Sequence, residues 1–169
     1  MGGIILNNYN KLFFEYNNQL KKLDFKTALK IGLTLCFNDM HLFSDYLYIN
    51  KIKDKRFSCF ESALFLVSKN LSCIENISLQ SEYNMCAEVL ENFCEEDNVL
   101  YDECVNVCTE ILNILEFINT QDKKYILQIM KSFFENKEAY LQKKYKNNDD
   151  IINKYIDNMS RIDLQWFCE

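Results

Sequence analysis

The chain's single histidine, His41, stands near residue types that support nucleophilic chemistry. Asp45 follows it by four residues, so an imidazole and a carboxylate can share one helical face, and Cys36 precedes it by five. A thiol with a neighbouring base is a covalent nucleophile. These three residues therefore define one hypothesis, a helical enzyme centred on Cys36, His41 and Asp45. A polar surface cluster at a helix start is the favoured interpretation, because no further catalytic motif accompanies them.

The eight cysteines are a second candidate set. Cys104 and Cys108 lie one helical turn apart and could share a metal ion with Cys86 or Cys94, but zinc sites ordinarily combine Cys-x-x-Cys spacing or several histidines. Disulfides are typical of small secreted proteins, and the N-terminal residues do not resemble an export signal. We expect most cysteines to be reduced and buried, in a cytoplasmic protein.

Paired carboxylates are the third set. Glu88 with Glu91, or Glu103 with Glu110, could bind a hard cation or perform acid/base work. Helical di-iron proteins use Glu-x-x-His pairs that point into the bundle, and this motif is missing here. Three glycines do not build a phosphate-binding loop. We therefore predict no catalytic residues, no metal site and no cofactor, in a protein that is not an enzyme.

Charge is strongly segregated along the sequence. Residues 70–122 contain no Lys or Arg and carry twelve carboxylates, whereas the rest of the chain has 19 basic and 13 acidic side chains. A patch of one sign attracts a complementary partner, so this segment predicts recognition of something basic and disfavours direct binding of nucleic acid. The alternative is an ordinary solvated surface that promotes solubility.

Composition predicts the fold class. The chain has 169 residues, of which 49% are hydrophobic, and it contains 13 Phe, 10 Tyr, three Gly and no Pro. Such a chain folds, but it lacks the residues that make tight β-turns. We predict an all-α, single-domain bundle of about seven to eight helices over residues 1–169, with stacked helical hairpins as an alternative. No apolar run reaches the length of a membrane span.

Apolar residues at steps of three and four predict the individual helices. Asp24 is a candidate N-cap, and Gly32 lies on an apolar stripe where it would permit close packing. Asp97 and Thr120 are candidate N-caps of later helices. The predicted helices cover residues 5–22, 24–37, 39–50, 57–69, 79–94, 98–118 and 120–144, with a last short helix after 147–150.

The helices over 79–94 and 98–118 position the acids. Their connection is short, which favours antiparallel neighbours. Helical spacing places Glu88 and Glu91 on the solvent side of the first, and Glu103, Glu110 and Asn113 on that of the second. The predicted partner-binding residues are Glu88, Glu91, Glu95, Glu96, Asp97, Asp102, Glu103 and Glu110.

The acidic segment 82–116, in a small chain rich in Lys and Asn, resembles the immunity proteins of bacterial contact-dependent growth inhibition and related polymorphic toxin systems. This resemblance implies binding and neutralisation of a cognate toxin domain, often a basic nuclease acting on RNA, tRNA or DNA. Residues 28–40 and 104–115 are similar to the YjaG-like family of helical bacterial proteins, which implies no functional residues. A structural adaptor or homo-oligomer is the third alternative, and the oligomeric state is not predicted.

Overall fold

The computed structural model describes residues 2–93, 98–145, 149–159 and 164. These residues form seven α-helices and no β-strand, which confirms the predicted all-α multi-helix bundle. In the described ranges no helix combines the length and apolar character that crossing a bilayer requires. The helices are α1 (Gly2–Leu20), α2 (Phe25–Ile49), α3 (Ser58–Lys69), α4 (Gln80–Glu91), α5 (Tyr101–Thr120), α6 (Lys124–Tyr145) and α7 (Asp149–Met159).

Helix α2 is longer than predicted. The two helices expected over 24–37 and 39–50 are one continuous helix, because neither proline nor glycine interrupts the chain near residue 38. Its buried side chains continue across the expected break at helical spacing through Leu35, Asp39, Phe43 and Tyr46. Asn38, which lies between the two expected helices, is an exposed position of this helix.

The start of α2 follows the prediction. The Asp24 carboxylate accepts a hydrogen bond from the backbone N–H of Thr27 at 2.8 Å and so caps the helix. The backbone and side-chain hydrogen bonds from Thr27 also lower the pKa of Asp24. The sequence predicted this cap because Asp24, which has a short acidic side chain, directly precedes the apolar stripe of α2.

Of the two other predicted caps, Asp97 lies outside the described residues and Thr120 is wrong. Helix α5 begins at Tyr101, with Leu100 at its N-cap position. Thr120 is the last residue of α5, and it is the Asp122 side chain that accepts from the backbone N–H of Lys124 at 2.9 Å, where α6 begins. The side chain nearer the helix start therefore competes better for the free N–H groups.

Three residues with side chains adopt the left-handed conformation within the described residues. Lys51 follows α2 with φ of 56°, Leu100 precedes α5 with φ of 64°, and Gln121 follows α5 with φ of 58°. Each costs roughly 1–2 kcal/mol relative to a right-handed backbone. The packing of the helices they join must therefore hold these turns in place.

Helix α5 occupies the centre of the bundle, where α2, α4 and α6 pack against it, while α1 packs against α6 and α7. A close approach involves Gly32 of α2: a Cβ there would lie 2.8 Å from the Cδ1 atoms of both Ile114 and Ile126. This confirms that Gly32 permits close helix packing, and it locates the contact at the junction of α2, α5 and α6.

Replacing Gly32 with Val should lower the free energy of unfolding by about 2 kcal/mol, since the added branches overpack a site without free space. Urea unfolding followed by circular dichroism measures the change. Lys30→Val is the matched control, because Lys30 is exposed on the same helix and reports only the helix propensity of Val, about 0.5 kcal/mol. Equal effects of the two substitutions would contradict the packing role of Gly32.

Candidate functional site

Helix α4 presents the acidic face that the sequence predicts. Cys86 and Val89 are buried against the bundle, whereas Glu88 and Glu91 are exposed. In the part of the chain that the structure describes, neither glutamate forms an ion pair within 4 Å. Their outward placement is confirmed.

The acids of α5 differ from the prediction. Asp102 in its first turn is exposed, and Glu103 is only 14% exposed because it pairs with Lys143 of α6. Glu110 and Asn113, which were predicted to face solvent, are both buried. The prediction was wrong there because a single outward face was assumed, while α5 has neighbouring helices on several sides.

Three predicted partner-binding residues, Glu95, Glu96 and Asp97, lie outside the described residues. Among the described ones, three predicted acids remain exposed: Glu88 and Glu91 on α4 and Asp102 at the start of α5. These three residues are called the acidic surface below.

A groove of about 390 Å³ adjoins the acidic surface between α3 and α4. Glu88 lines it together with Met85, whose side chain is 49% exposed. Sequence reasoning did not single out Met85. The available signal was its position three residues before Glu88, which places it on the same outward face of α4. The groove is lined by Lys55, Arg56, Ser58, Cys59, Ser62, Met85, Glu88 and Val89.

The buried Glu110 belongs to a polar cluster between α2, α5 and α6. Asn136 donates a hydrogen bond to Asp39 at 2.7 Å, and Asn106 donates one to Asn136 at 2.9 Å. The Lys137 ammonium lies 3.8 Å from the other Asp39 oxygen. Among the described residues, neither carboxyl oxygen of Glu110 has a hydrogen-bond partner, and the Oδ1 atom of Asp39 lacks one as well. Asp39 is therefore only partly compensated, by Asn136 and Lys137, and Glu110 accepts no hydrogen bond.

Burial raises the pKa of the carboxyl groups of both Glu110 and Asp39. It raises the pKa of Glu110 well above its ordinary range, and the nearby charge of Asp39 raises it further. The pKa of Asp39 is also raised by burial, against the opposing effects of Asn136 and Lys137. Glu110 therefore keeps its proton to a higher pH than an exposed glutamate does, because an ionised carboxylate that accepts no hydrogen bond is costly there.

The three residues of the enzyme hypothesis do not meet. The Cys36 thiol is buried, and burial followed by the charges of Glu110 and Asp39 raises its pKa well above the ordinary value. His41 is exposed, with its Nδ1 atom 2.9 Å from the Asn38 carbonyl oxygen. Asp45 is exposed as well. The imidazole therefore has no access to a reactive thiol at Cys36.

The cysteines follow the prediction of burial at Cys36, Cys86, Cys104 and Cys108. The half-buried Cys59 of α3 interacts electrostatically with Cys86 of α4 and Cys108 of α5. Cys94, the other metal ligand considered, lies outside the described residues. Among those described, no three His, Cys, Asp or Glu side chains are arranged to hold a metal ion.

No family model, curated protein or solved structure matches this chain. Functional inference therefore rests on its own residues and on their placement in the fold.

Replacing Glu110 with Gln should make stability less dependent on pH. Below pH 4.5 the carboxyl group of Glu110 is protonated in both the folded and the unfolded chain, so its contribution to the free energy of unfolding is fully present. Above that pH the unfolded chain releases the proton while the folded chain retains it. Wild-type stability thus loses up to about 1.4 kcal/mol per pH unit until the raised folded pKa is reached. The Gln side chain does not titrate and escapes this loss.

The measured quantity is the difference in free energy of unfolding between variant and wild type, from urea titrations between pH 4 and about pH 8. We expect this difference to shift in favour of Glu110→Gln as the pH rises. Glu91→Gln is the control, since Glu91 is exposed and its removal should give a flat difference. A flat difference for Glu110→Gln would show that Glu110 ionises normally in the fold.

Proposed function

We propose that this protein is an immunity protein that binds a basic toxin domain through the acidic surface and thereby neutralises it. The observation that carries the proposal is the exposure of Glu88 and Glu91 within a 53-residue segment, residues 70–122, that contains no Lys or Arg. A cationic partner would relieve the mutual repulsion of these like charges.

The fold supports a preformed surface. Helix α4 is anchored by Cys86 and Val89, and the buried Phe93 follows it. The ring centroids of Phe93 and Tyr101 of α5 lie 4.9 Å apart with the planes tilted by 31°, and the Tyr101 hydroxyl donates to the Phe93 carbonyl at 3.1 Å. These contacts tie the end of α4 to the start of α5. A surface that is rigid before binding loses less conformational entropy when a partner docks.

Charged and apolar side chains would contribute to recognition in different ways. The exposed carboxylates would accelerate encounter with a basic partner and disfavour nucleic acid. Met85 beside Glu88 offers a flexible apolar contact at the groove, and such contacts supply much of the lasting affinity in protein interfaces. Glu103 is less suited to docking because Lys143 already neutralises it.

The proposed partner is a nuclease toxin domain, since a nuclease needs a basic groove for its RNA or DNA substrate. This choice rests on the resemblance of segment 82–116 to immunity proteins of contact-dependent growth inhibition. An inhibitor that covers such a groove needs no cofactor and no catalytic residue of its own. The proposed place of action is the cytoplasm, where the toxin would meet its substrate.

Reversing the charge of Glu88 and Glu91 together, as Glu88→Lys with Glu91→Lys, should weaken binding by about 10–100-fold at low salt, or roughly 1.4–2.8 kcal/mol. The dependence of affinity on salt should also become shallower. The probe is a purified basic nuclease toxin domain, sought first among the genes next to that of this chain, and calorimetry at several salt concentrations gives the affinity.

The matched control carries the same total charge change elsewhere, as Asp45→Lys with Glu135→Lys on α2 and α6, where both acids are exposed. If the two double variants lose affinity equally, the effect is one of net charge, and the acidic surface is not the docking site. Failure of the wild-type chain to protect cells that express the toxin domain would overturn the immunity proposal itself.

A further inference from the structure

A cavity of about 400 Å³, separate from the groove between α3 and α4, opens between α2 and α6. This volume is within the range of small-ligand sites. The cavity is lined by His41, Leu42, Asn136, Lys137 and Tyr140. These lining residues include no carboxylate, and the four polar ones can all donate hydrogen bonds. The cavity is therefore suited to a small ligand that is rich in acceptor oxygens.

Two cations and an imidazole contribute to this donor set. The Nδ1 atom of His41 lies 2.9 Å from the Asn38 carbonyl oxygen, and it must carry the ring hydrogen because a carbonyl only accepts. The Nε2 atom is then the ring nitrogen that can bind a ligand, and it donates when the imidazole is protonated. On α6, Lys137 precedes Tyr140 by one turn, and the Lys144 ammonium lies 5.5 Å from the Tyr140 ring centroid.

Asp39 lies directly behind the wall formed by Asn136 and Lys137. It is fully buried, and its Oδ2 atom accepts a hydrogen bond from Asn136 at 2.7 Å. Its Oδ1 atom accepts none from the residues that the structure describes. The Lys137 ammonium is 3.8 Å from Oδ1, which is beyond hydrogen-bond range. A buried acceptor on the Lys137 side of the cavity thus lacks the donor that such atoms ordinarily have.

We propose that this cavity binds a phosphate group that still carries one proton, as free phosphate or as a phosphomonoester. Its oxygens accept from the Lys137 ammonium and from Nε2 of protonated His41, while its own O–H donates to Oδ1 of Asp39. The Lys137 side chain is 35% exposed on a flexible stem, and it turns aside to open Oδ1 to the ligand. One ligand group then satisfies both the lysine and the buried carboxylate.

Asp39 is the residue that determines specificity in this site. Sulfate and phosphodiesters carry no proton near neutral pH, so each would place a bare oxygen against the Asp39 carboxylate and be repelled. The backbone of nucleic acids consists of diesters. Nucleic acid is therefore rejected by this site as well as by the net charge of −6.

The test uses the full-length protein and the ring protons of His41, which give a unique NMR signal because the chain has one histidine. At a constant pH of about 6, where much of a phosphate group is singly protonated, inorganic phosphate should shift this signal with saturation. Dimethyl phosphate has a single negative charge but no proton, and it should bind at least about tenfold more weakly. Glycerol 3-phosphate separates the two sources: saturation by it as well supports a phosphomonoester, and saturation by inorganic phosphate alone supports the free ion.

Two variants locate the site. Lys137→Met should weaken phosphate binding by about tenfold or more, because a charge-assisted hydrogen bond is lost. Lys131→Met is the matched control, since Lys131 is exposed on the same helix and lines a different cavity. Asp39→Asn can place an N–H donor where Oδ1 lies, and it should abolish the preference for phosphate over dimethyl phosphate. Circular dichroism verifies that each variant is folded, and the wild-type preference decides if one is not.

Equal affinity of the wild-type protein for phosphate and dimethyl phosphate would overturn the proposal, as would a His41 signal that shifts without saturation. Equal losses in Lys137→Met and Lys131→Met would overturn it too, because they would show attraction by net charge alone. No toxin enters the experiment, so its outcome is independent of the immunity proposal.

Discussion

The enclosure of α5 by α2, α4 and α6 is the constraint on which the rest of the structure depends. A helix with neighbours on several sides has little room for solvated side chains, so its polar residues must find partners inside or lose their charge. Gly32 lets α2 approach α5 and α6 closely, and this approach leaves Glu110 without access to water. The same enclosure leaves α4 with one free face, where Glu88 and Glu91 of the acidic surface lie.

Most of the helices were predictable because apolar spacing and composition act locally. The Asp24 cap and the buried stripe of α4 depend only on neighbours within a few residues, and both were found from sequence. The failures depend on competition between local signals. The break expected between residues 37 and 39 is absent from α2, and Asp122 precedes α6 more closely than Thr120 does. Sequence alone does not rank such competing signals.

The candidate site was predictable only where a helix has one packed side. Periodicity placed Glu88 and Glu91 correctly because α4 lies at the periphery. It misplaced Glu110 because the number of helices around α5 is a property of the tertiary fold, and carboxylates are ordinarily exposed.

The protonation of Glu110 also changes what the sequence charge means. The formal charge of −6 counts every carboxyl group as ionised, including one whose pKa the fold raises well above the ordinary value. Between the ordinary and the raised pKa, folding therefore takes up a proton from the solvent, and in that range the native chain should migrate in an electric field as a less acidic molecule than its composition indicates. The folding reaction of this protein is, in part, an acid–base reaction with its buffer.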